Sequence, residues 1–300
     1  MTKPAKRKPR PAKARAVSLH IGLNLVDAGS YSGWEGPLTA CEFDAHDMKA
    51  IADSRGMRSR VLLTADATRS RVLGAIRQAA KKLERGDYFL LTYSGHGGQV
   101  VDVTGDETDR FDETWCLYDG ELIDDELYYE LGRFAAGVRI FVLSDSCHSG
   151  TVVRVTPPDG RPRARLMPPR VAQQVYKDHR AFYDRLQTEV TRKAGKDDVL
   201  EPASAAPHAA VSRRLTAIAN RFKAQLLLMS GCLDRQLSGD GDRNGVFTAR
   251  LREVWDEGTF KGNYAQFHVA IKDGMPPDQT PNLFSLGDTS RFVREVPFKP

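Results

Sequence analysis

Short apolar runs alternate with amphipathic segments along most of this sequence, and that alternation restricts the possible folds more than any other feature. The apolar runs have the length and composition of buried strands, and they lie at residues 16–26, 58–64, 87–95, 138–146, 225–231 and 280–287. Segments with helical spacing lie at residues 40–56, 66–86, 245–258 and 263–274. Strands that are apolar on both faces are typical of a mostly parallel sheet covered by helices. The sequence therefore predicts a three-layer α/β sandwich around a six-stranded, mostly parallel sheet.

The composition is typical of a globular protein, with 300 residues of which 41% are hydrophobic and 28% charged. No apolar run approaches the roughly 18–20 residues of a membrane span, so we expect no membrane partner. The basic N-terminus is not followed by an apolar stretch and does not resemble a secretory signal. The four cysteines are widely spaced, which favours reduced thiols and a cytoplasmic protein.

Two segments differ in composition from the rest of the chain. Residues 1–15 carry seven basic and no acidic side chains, whereas the remainder carries 37 basic and 39 acidic ones. We predict a disordered basic tail, the only part suited to nucleic acid, followed by one domain over residues 16–300. Residues 155–223 are polar and rich in proline at their ends, with a helical stretch near 171–194. We interpret them as an inserted linker rather than core, and we expect a monomer.

A histidine and a cysteine each follow a predicted strand. His96 lies in YSGHGG (93–98), and Cys147 lies in LSDSCHSG (143–150). The carboxyl ends of parallel strands meet at one edge of a sheet, so the two side chains should lie close together. A thiolate is a strong nucleophile, and a nearby imidazole takes its proton. The backbone N–H groups of Gly97 and Cys147 could then hold the oxyanion of an acyl intermediate.

Two alternatives remain at this point. His148 competes for the role of base, although side chains of adjacent residues point apart. A buried structural cysteine with an unrelated turn histidine would explain each residue singly, but it explains the pair less well.

The paired motifs resemble those of the metacaspases, the caspase-like cysteine peptidases of bacteria, plants, fungi and protists. Further matches are PLTACEFDA (37–45), TGDETDRFDETWCLYDGELIDDEL (104–127) and SGCLDRQLSGDGDRNGVFTARL (230–251). The resemblance implies a caspase–hemoglobinase fold and peptide-bond hydrolysis, with His96 as general base and Cys147 as nucleophile. It also divides the domain into a large-subunit-like part (16–154) and a small-subunit-like part (224–300). A catalytically idle caspase-like module that binds or scaffolds partners is the alternative function.

The substrate pocket is predicted to be acidic. Asp145 lies two residues before Cys147, on the same side of an extended strand, where its carboxylate would favour a cationic substrate residue. The resemblance implies Asp44 and Asp145 as acidic walls, with Cys41 and Ser94 lining the pocket. The expected substrates are proteins or peptides cut after Arg or Lys. Asp240 resembles a position that frames the cleft, without a predicted catalytic role.

An acidic stretch over residues 102–126 offers oxygen ligands of the kind that calcium prefers. A solvated acidic loop is the simpler interpretation. The resemblance implies Asp112, Asp124 and Asp125 as calcium ligands, and calcium as an activator rather than a participant in the chemistry. Arg154 departs from the calcium-dependent pattern, because a guanidinium cannot bind the ion. An Arg154–carboxylate pair in place of calcium stays an open alternative.

The inserted segment contains several basic residues that fit the predicted pocket, so we expect the enzyme to cut itself there. The candidates are Arg161, Arg163, Arg165, Arg192, Lys193, Lys196, Arg213 and Arg214. Because the helical stretch should protect the bonds inside it, Arg213 and Arg214 are the preferred sites.

Overall fold

The computed structural model describes residues 14–104, 110–147, 163–195, 222–233, 236 and 238–300. Its main sheet has six strands in the order β11-β9-β7-β3-β1-β2, and β11 alone runs antiparallel to its neighbour. These strands are β1 (Ala16–Gly22), β2 (Arg58–Leu63), β3 (Tyr88–Ser94), β7 (Arg139–Asp145), β9 (Gln225–Ser230) and β11 (Asn282–Leu286). The predicted six-stranded, mostly parallel sheet is therefore confirmed.

Helices cover both faces of this sheet because the side chains of each strand alternate between two cores. One core packs Leu91 and Val142 against helices α2 and α3, and the other packs Leu90 and Phe141 against α1, α6 and α7. The helices are α1 (Cys41–Ser54), α2 (Arg69–Lys82), α3 (Asp124–Leu131), α4 (Pro169–Asp178), α5 (Arg180–Gly195), α6 (Val246–Trp255) and α7 (Tyr264–Lys272). None of the helices in the described ranges is long and apolar enough to cross a membrane.

Over residues 110–126 the acidic stretch is not a solvated loop, and that interpretation was wrong there. After β4 (Gly97–Val101), most of the stretch forms β5 (Phe111–Leu117) and β6 (Gly120–Ile123) of a three-stranded antiparallel sheet, and α3 begins at Asp124. Apolar side chains of both strands are buried, which packs this sheet against the rest of the domain; they include Trp115, Leu117, Leu122 and Ile123.

The inserted segment contributes to the core, contrary to its interpretation as a linker. The predicted single helical stretch is two helices, α4 and α5, separated at His179. Met167, Val175 and Tyr183 are buried in a third apolar cluster with Tyr31 and Val100. Just before α4, the short strand β8 (Arg163–Ala164) pairs with β10 (Gly239–Asp240). The described part of the segment is thus packed against both halves of the domain.

Candidate active site

His96 and Cys147 follow adjacent parallel strands, as the sequence predicts. The register of β3 and β7 pairs Ser94 with Asp145, the last residue of each strand. The two chains then approach so closely that a Cβ atom on Gly97 would lie 1.6 Å from the carbonyl oxygen of Cys147. Only glycine fits at position 97, because any side chain would separate the two strand ends.

The imidazole of His96 is held in one orientation. Its Nε2 atom lies 2.9 Å from the carbonyl oxygen of Gly36, and its ring centroid lies 4.8 Å from that of Trp34. Because a carbonyl oxygen can only accept, Nε2 carries the proton and Nδ1 keeps its lone pair. Nδ1 is buried and has no hydrogen-bond partner among the described residues. Burial lowers the pKa of His96 to about 4, so the ring is neutral at pH 7 and Nδ1 carries no proton.

The thiol of Cys147 is buried beside the chain segment that precedes β10. Its Sγ atom accepts a hydrogen bond from the backbone N–H of Ser238 at 2.6 Å and donates to the carbonyl oxygen of Ser238 at 3.5 Å. No hydrogen bond between Cys147 and His96 is present in the described part of the chain. His148, the competing base, lies outside the described residues. The thiol must therefore turn away from Ser238 before it meets the imidazole.

Cys232 lies next to this thiol, a neighbour that the sequence did not reveal. Its Sγ atom donates to the carbonyl oxygen of Ser146 at 3.4 Å. A hydrogen bond with Cys147, together with burial, raises the pKa of Cys232 well above the usual value of a thiol. Cys232 is thus a neutral thiol beside the candidate nucleophile.

The two N–H groups predicted as an oxyanion hole point at one oxygen atom. The N–H of Gly97 and the N–H of Cys147 both donate to the carbonyl oxygen of Arg165, at 3.0 and 3.1 Å. Two backbone donors that converge on one carbonyl are the arrangement that stabilises a developing oxyanion. The oxygen that they hold belongs to the chain's own inserted segment.

The side chain of Arg165 occupies the predicted acidic pocket. Its Nη1 atom lies 2.8 Å from Ser94 Oγ and 2.9 Å from Asp145 Oδ2, and its Nη2 atom lies 2.8 Å from Asp44 Oδ2. The guanidinium is fully buried. Gly245 makes room for it, since a Cβ atom there would lie 2.5 Å from the guanidinium. Three of the four predicted pocket residues therefore contact one arginine.

The fourth predicted pocket residue, Cys41, is fully buried at the start of α1. Burial raises the pKa of its thiol, and the nearby charge of Arg165 only partly opposes that effect. Burial also raises the pKa of Asp44 to about 6, again opposed by Arg165. The pocket thus holds carboxylates that are costly to bury and that a cation stabilises.

Residues 163–167, which we call the strap, lie extended through the cleft. On one side of Arg165, β8 pairs with β10, and the N–H of Arg165 donates to the carbonyl oxygen of Ser238 at 3.0 Å. On the other side, the N–H of Met167 donates to the carbonyl oxygen of Gly97 at 2.8 Å. Main-chain pairing of this kind is how extended peptides bind at the edge of a sheet.

The three predicted calcium ligands lie close enough for their charges to interact: Asp112 is in β5, and Asp124 and Asp125 begin α3. Asp112 and Asp125 are buried, and burial together with the charges of these two carboxylates raises the pKa of Asp124. The ligand atoms are all carboxylate oxygens, which suit a hard cation. Within the described ranges, no three His, Cys, Asp or Glu side chains already surround one metal position. Arg154 lies outside the described residues, so its pairing stays untested.

Comparison with known proteins identifies the family. The sequence profile of the caspase domain, peptidase family C14, matches residues 24–293. The chain belongs to the caspase domain family. Metacaspase-1 of Cryptococcus neoformans is 35% identical over an alignment of 151 residues, and the match covers 45% of this chain and 32% of the relative. Metacaspase-1B of Neosartorya fischeri is 28% identical over an alignment of 253 residues, and the match covers 77% of this chain and 58% of the relative. The chain thus spans only part of each metacaspase.

This caspase domain is also similar to a solved structure over nearly its whole length. A crystal structure of a Geobacter sulfurreducens protein is 49% identical to it, with a TM-score of 0.79, and the match covers 95% of this chain and 98% of that one. The predicted membership of the caspase-like cysteine peptidases and the predicted fold are confirmed. The roles of individual residues in the cleft stay predictions.

Proposed function

We propose that this caspase domain is a cysteine endopeptidase that cuts peptide bonds after Arg or Lys. One observation carries the proposal: an arginine lies in the acidic pocket while its carbonyl oxygen accepts from Gly97 and Cys147. A substrate needs both contacts at once, because binding must place the reacting carbonyl beside the nucleophile. Carboxylates that face the substrate favour a cationic residue, and they disfavour aspartate by repulsion and desolvation.

The reaction follows from the residues around that carbonyl. His96 Nδ1 takes the proton of the Cys147 thiol, and the thiolate sulfur attacks the carbonyl carbon. The carbonyl π electrons move to the oxygen, where the N–H groups of Gly97 and Cys147 stabilise the charge. As the C–N bond breaks, the imidazolium gives its proton to the leaving amine. Water, deprotonated by His96, then hydrolyses the thioester and regenerates the thiol.

Self-cleavage within the inserted segment is part of this proposal, with a revised site. The preferred sites Arg213 and Arg214 lie outside the described residues. The strap instead puts the bond between Arg165 and Leu166 directly beyond the carbonyl that Gly97 and Cys147 hold. We therefore propose Arg165–Leu166 as the first bond cut.

The alternative is a catalytically idle module whose cleft is permanently filled by its own chain. Two observations favour it: the Cys147 thiol is hydrogen-bonded to the backbone of Ser238, and the side chain of Arg165 fills the acidic pocket. Catalysis requires both contacts to break, so activity on a separate peptide distinguishes the two functions.

We expect the purified chain to hydrolyse a peptide that copies residues 161–170, and the cut to follow the arginine at the Arg165 position. The same peptide with lysine there should be cut, and the one with aspartate should be refused, because a buried like-charge contact typically costs several kcal/mol. Mass spectrometry of the products identifies the bond. Cys147→Ala is the control and should cut none of the three. Efficient cleavage after aspartate would contradict the proposal that the acidic pocket selects Arg or Lys. An inactive wild type would favour the catalytically idle module.

We further propose calcium as an activator that binds Asp112, Asp124 and Asp125. An ion there would offset the burial and the like-charge repulsion that together raise the pKa of Asp124. At a hundredfold excess over its dissociation constant, a ligand stabilises the fold by about 2.7 kcal/mol. Calcium should therefore raise the temperature of thermal unfolding by several degrees in the wild type and in Asp278→Asn, an exposed control. Asp124→Asn should lose most of that shift. Equal unfolding temperatures with and without calcium would contradict the proposal.

A further inference from the structure

Asp240 is a third carboxylate in the arginine pocket. Its Oδ1 atom lies 3.0 Å from Arg165 Nη2, on the side of the guanidinium that also meets Asp44. The Asp240 side chain is 1% exposed, and the arginine that it contacts is fully buried. In such a site an ion pair is weakly screened by solvent, so the loss of one partner carries a large cost in free energy.

The position of Asp240 is fixed from two directions. Its carboxylate accepts hydrogen bonds from the N–H groups of Thr39 and Ala40, at 2.8 and 3.2 Å, at the start of α1. Its backbone belongs to β10, which pairs with Arg163 and Ala164 of the strap. The residue thus joins the strand that aligns a peptide to the helix that carries Asp44.

We propose that Asp240 is a substrate-binding residue that selects for the positive charge of the residue before the cut bond. The inference rests on the proposed peptidase function and assigns one more acidic residue to the substrate pocket. A guanidinium has two outer nitrogens, and Asp145 and Asp240 contact different ones. The pocket therefore holds the arginine by both ends of its fork, an arrangement specific for a planar cation.

A purely structural role is the competing explanation, since Asp240 also holds the start of α1. The two roles differ in their response to citrulline, which has the shape of arginine without its charge. A structural defect would lower cleavage after arginine and after citrulline by the same factor. Loss of a charge contact would lower cleavage after arginine alone.

The test measures kcat/KM for two peptides that copy residues 161–170, with arginine or citrulline at the Arg165 position. The ratio of the two kcat/KM values, arginine over citrulline, does not depend on the fraction of enzyme with an open pocket, because both peptides meet the same enzyme. We expect the preference for arginine over citrulline to narrow by about tenfold or more in Asp240→Asn. Asp47→Asn is the matched control, since Asp47 contacts Asn244 and Arg252 rather than Arg165. It should keep the wild-type ratio.

Three outcomes decide the inference. A narrowed ratio in Asp240→Asn with an unchanged ratio in Asp47→Asn supports it. An unchanged ratio in an active Asp240→Asn enzyme would overturn it while the proposed peptidase function stands. A wild type that cleaves neither peptide would overturn the proposed function, and this inference with it.

Discussion

Replacing His96 by alanine should lower kcat for arginine peptides by roughly a thousandfold while the fold stays intact. The imidazole is neutral, its Nε2–H is fixed by Gly36, and its Nδ1 lone pair is unused among the described residues. Without a base, the Cys147 thiol has no group to take its proton, and the leaving amine has no group to protonate it. Steady-state kinetics with the peptide that copies residues 161–170, together with circular dichroism and the unfolding temperature, measures both parts of the prediction.

Three further variants make this result interpretable. Cys147→Ala should lose as much activity as His96→Ala, and the double variant little more, because groups that act as a unit are not additive. His148→Ala is the matched control and should retain most of the activity. If His148→Ala were inactive while His96→Ala kept near-normal turnover, the assignment of the base would be wrong.

The central sheet and the strand ends could be predicted because their signals are local. Runs such as 87–95 and 138–146 are apolar on both faces, which is decisive for a buried parallel strand. Once those strands are parallel neighbours, the closeness of His96 and Cys147 follows from their positions in sequence alone. The position of Asp145 beside the cleft was also predictable, because it lies only two residues before Cys147 at the end of the same strand.

Other features depended on contacts between distant parts of the chain. Arg165 lies in a proline- and arginine-rich stretch whose composition resembles a linker, yet its guanidinium meets Asp44, which is 121 residues away. Asp240 contacts the same guanidinium from 75 residues away. No periodicity encodes such pairings. The three-stranded sheet was missed for a different reason: its many acidic residues suggested a loop, whereas the apolar side chains among them, such as Trp115 and Leu117, are buried in strands.

The filled pocket couples the stability of the chain to its activity. One fully buried guanidinium neutralises part of the charge of Asp44, Asp145 and Asp240. Removing one partner from a buried ion pair typically costs about 3–5 kcal/mol, because the remaining charges are left unpaired. A substrate arginine can replace that contact, but only after the strap leaves. Cutting the strap would turn Arg165 into a chain end that can exchange with substrate.

Arg165 should therefore determine whether and where the enzyme cuts itself. On incubation, the wild type should yield a fragment that begins at Leu166, because the carbonyl of Arg165 already accepts from Gly97 and Cys147. Arg165→Ala should not yield this fragment, since alanine leaves the three carboxylates without a cation. Its pocket is also no longer filled by the strap, so it should hydrolyse separate arginine peptides without first being cut. N-terminal sequencing of the fragments and initial rates measure the two effects.

Arg163→Ala provides the matched control for that experiment. Arg163 belongs to the same strap, but it is exposed, and its side chain donates to the carbonyl oxygen of Pro37 rather than to a pocket carboxylate. Self-cleavage between Arg165 and Leu166 should persist in this variant.

A fragment that begins after Arg213 or Arg214 in Arg165→Ala and wild type alike would restore the sites that the sequence favoured. A wild type that hydrolyses arginine peptides yet stays intact would rule out self-cleavage, and equal fragments from Cys147→Ala would indicate a contaminating protease. Since Arg165→Ala leaves buried carboxylates unpaired, its unfolding temperature should fall, and rates are compared well below that temperature.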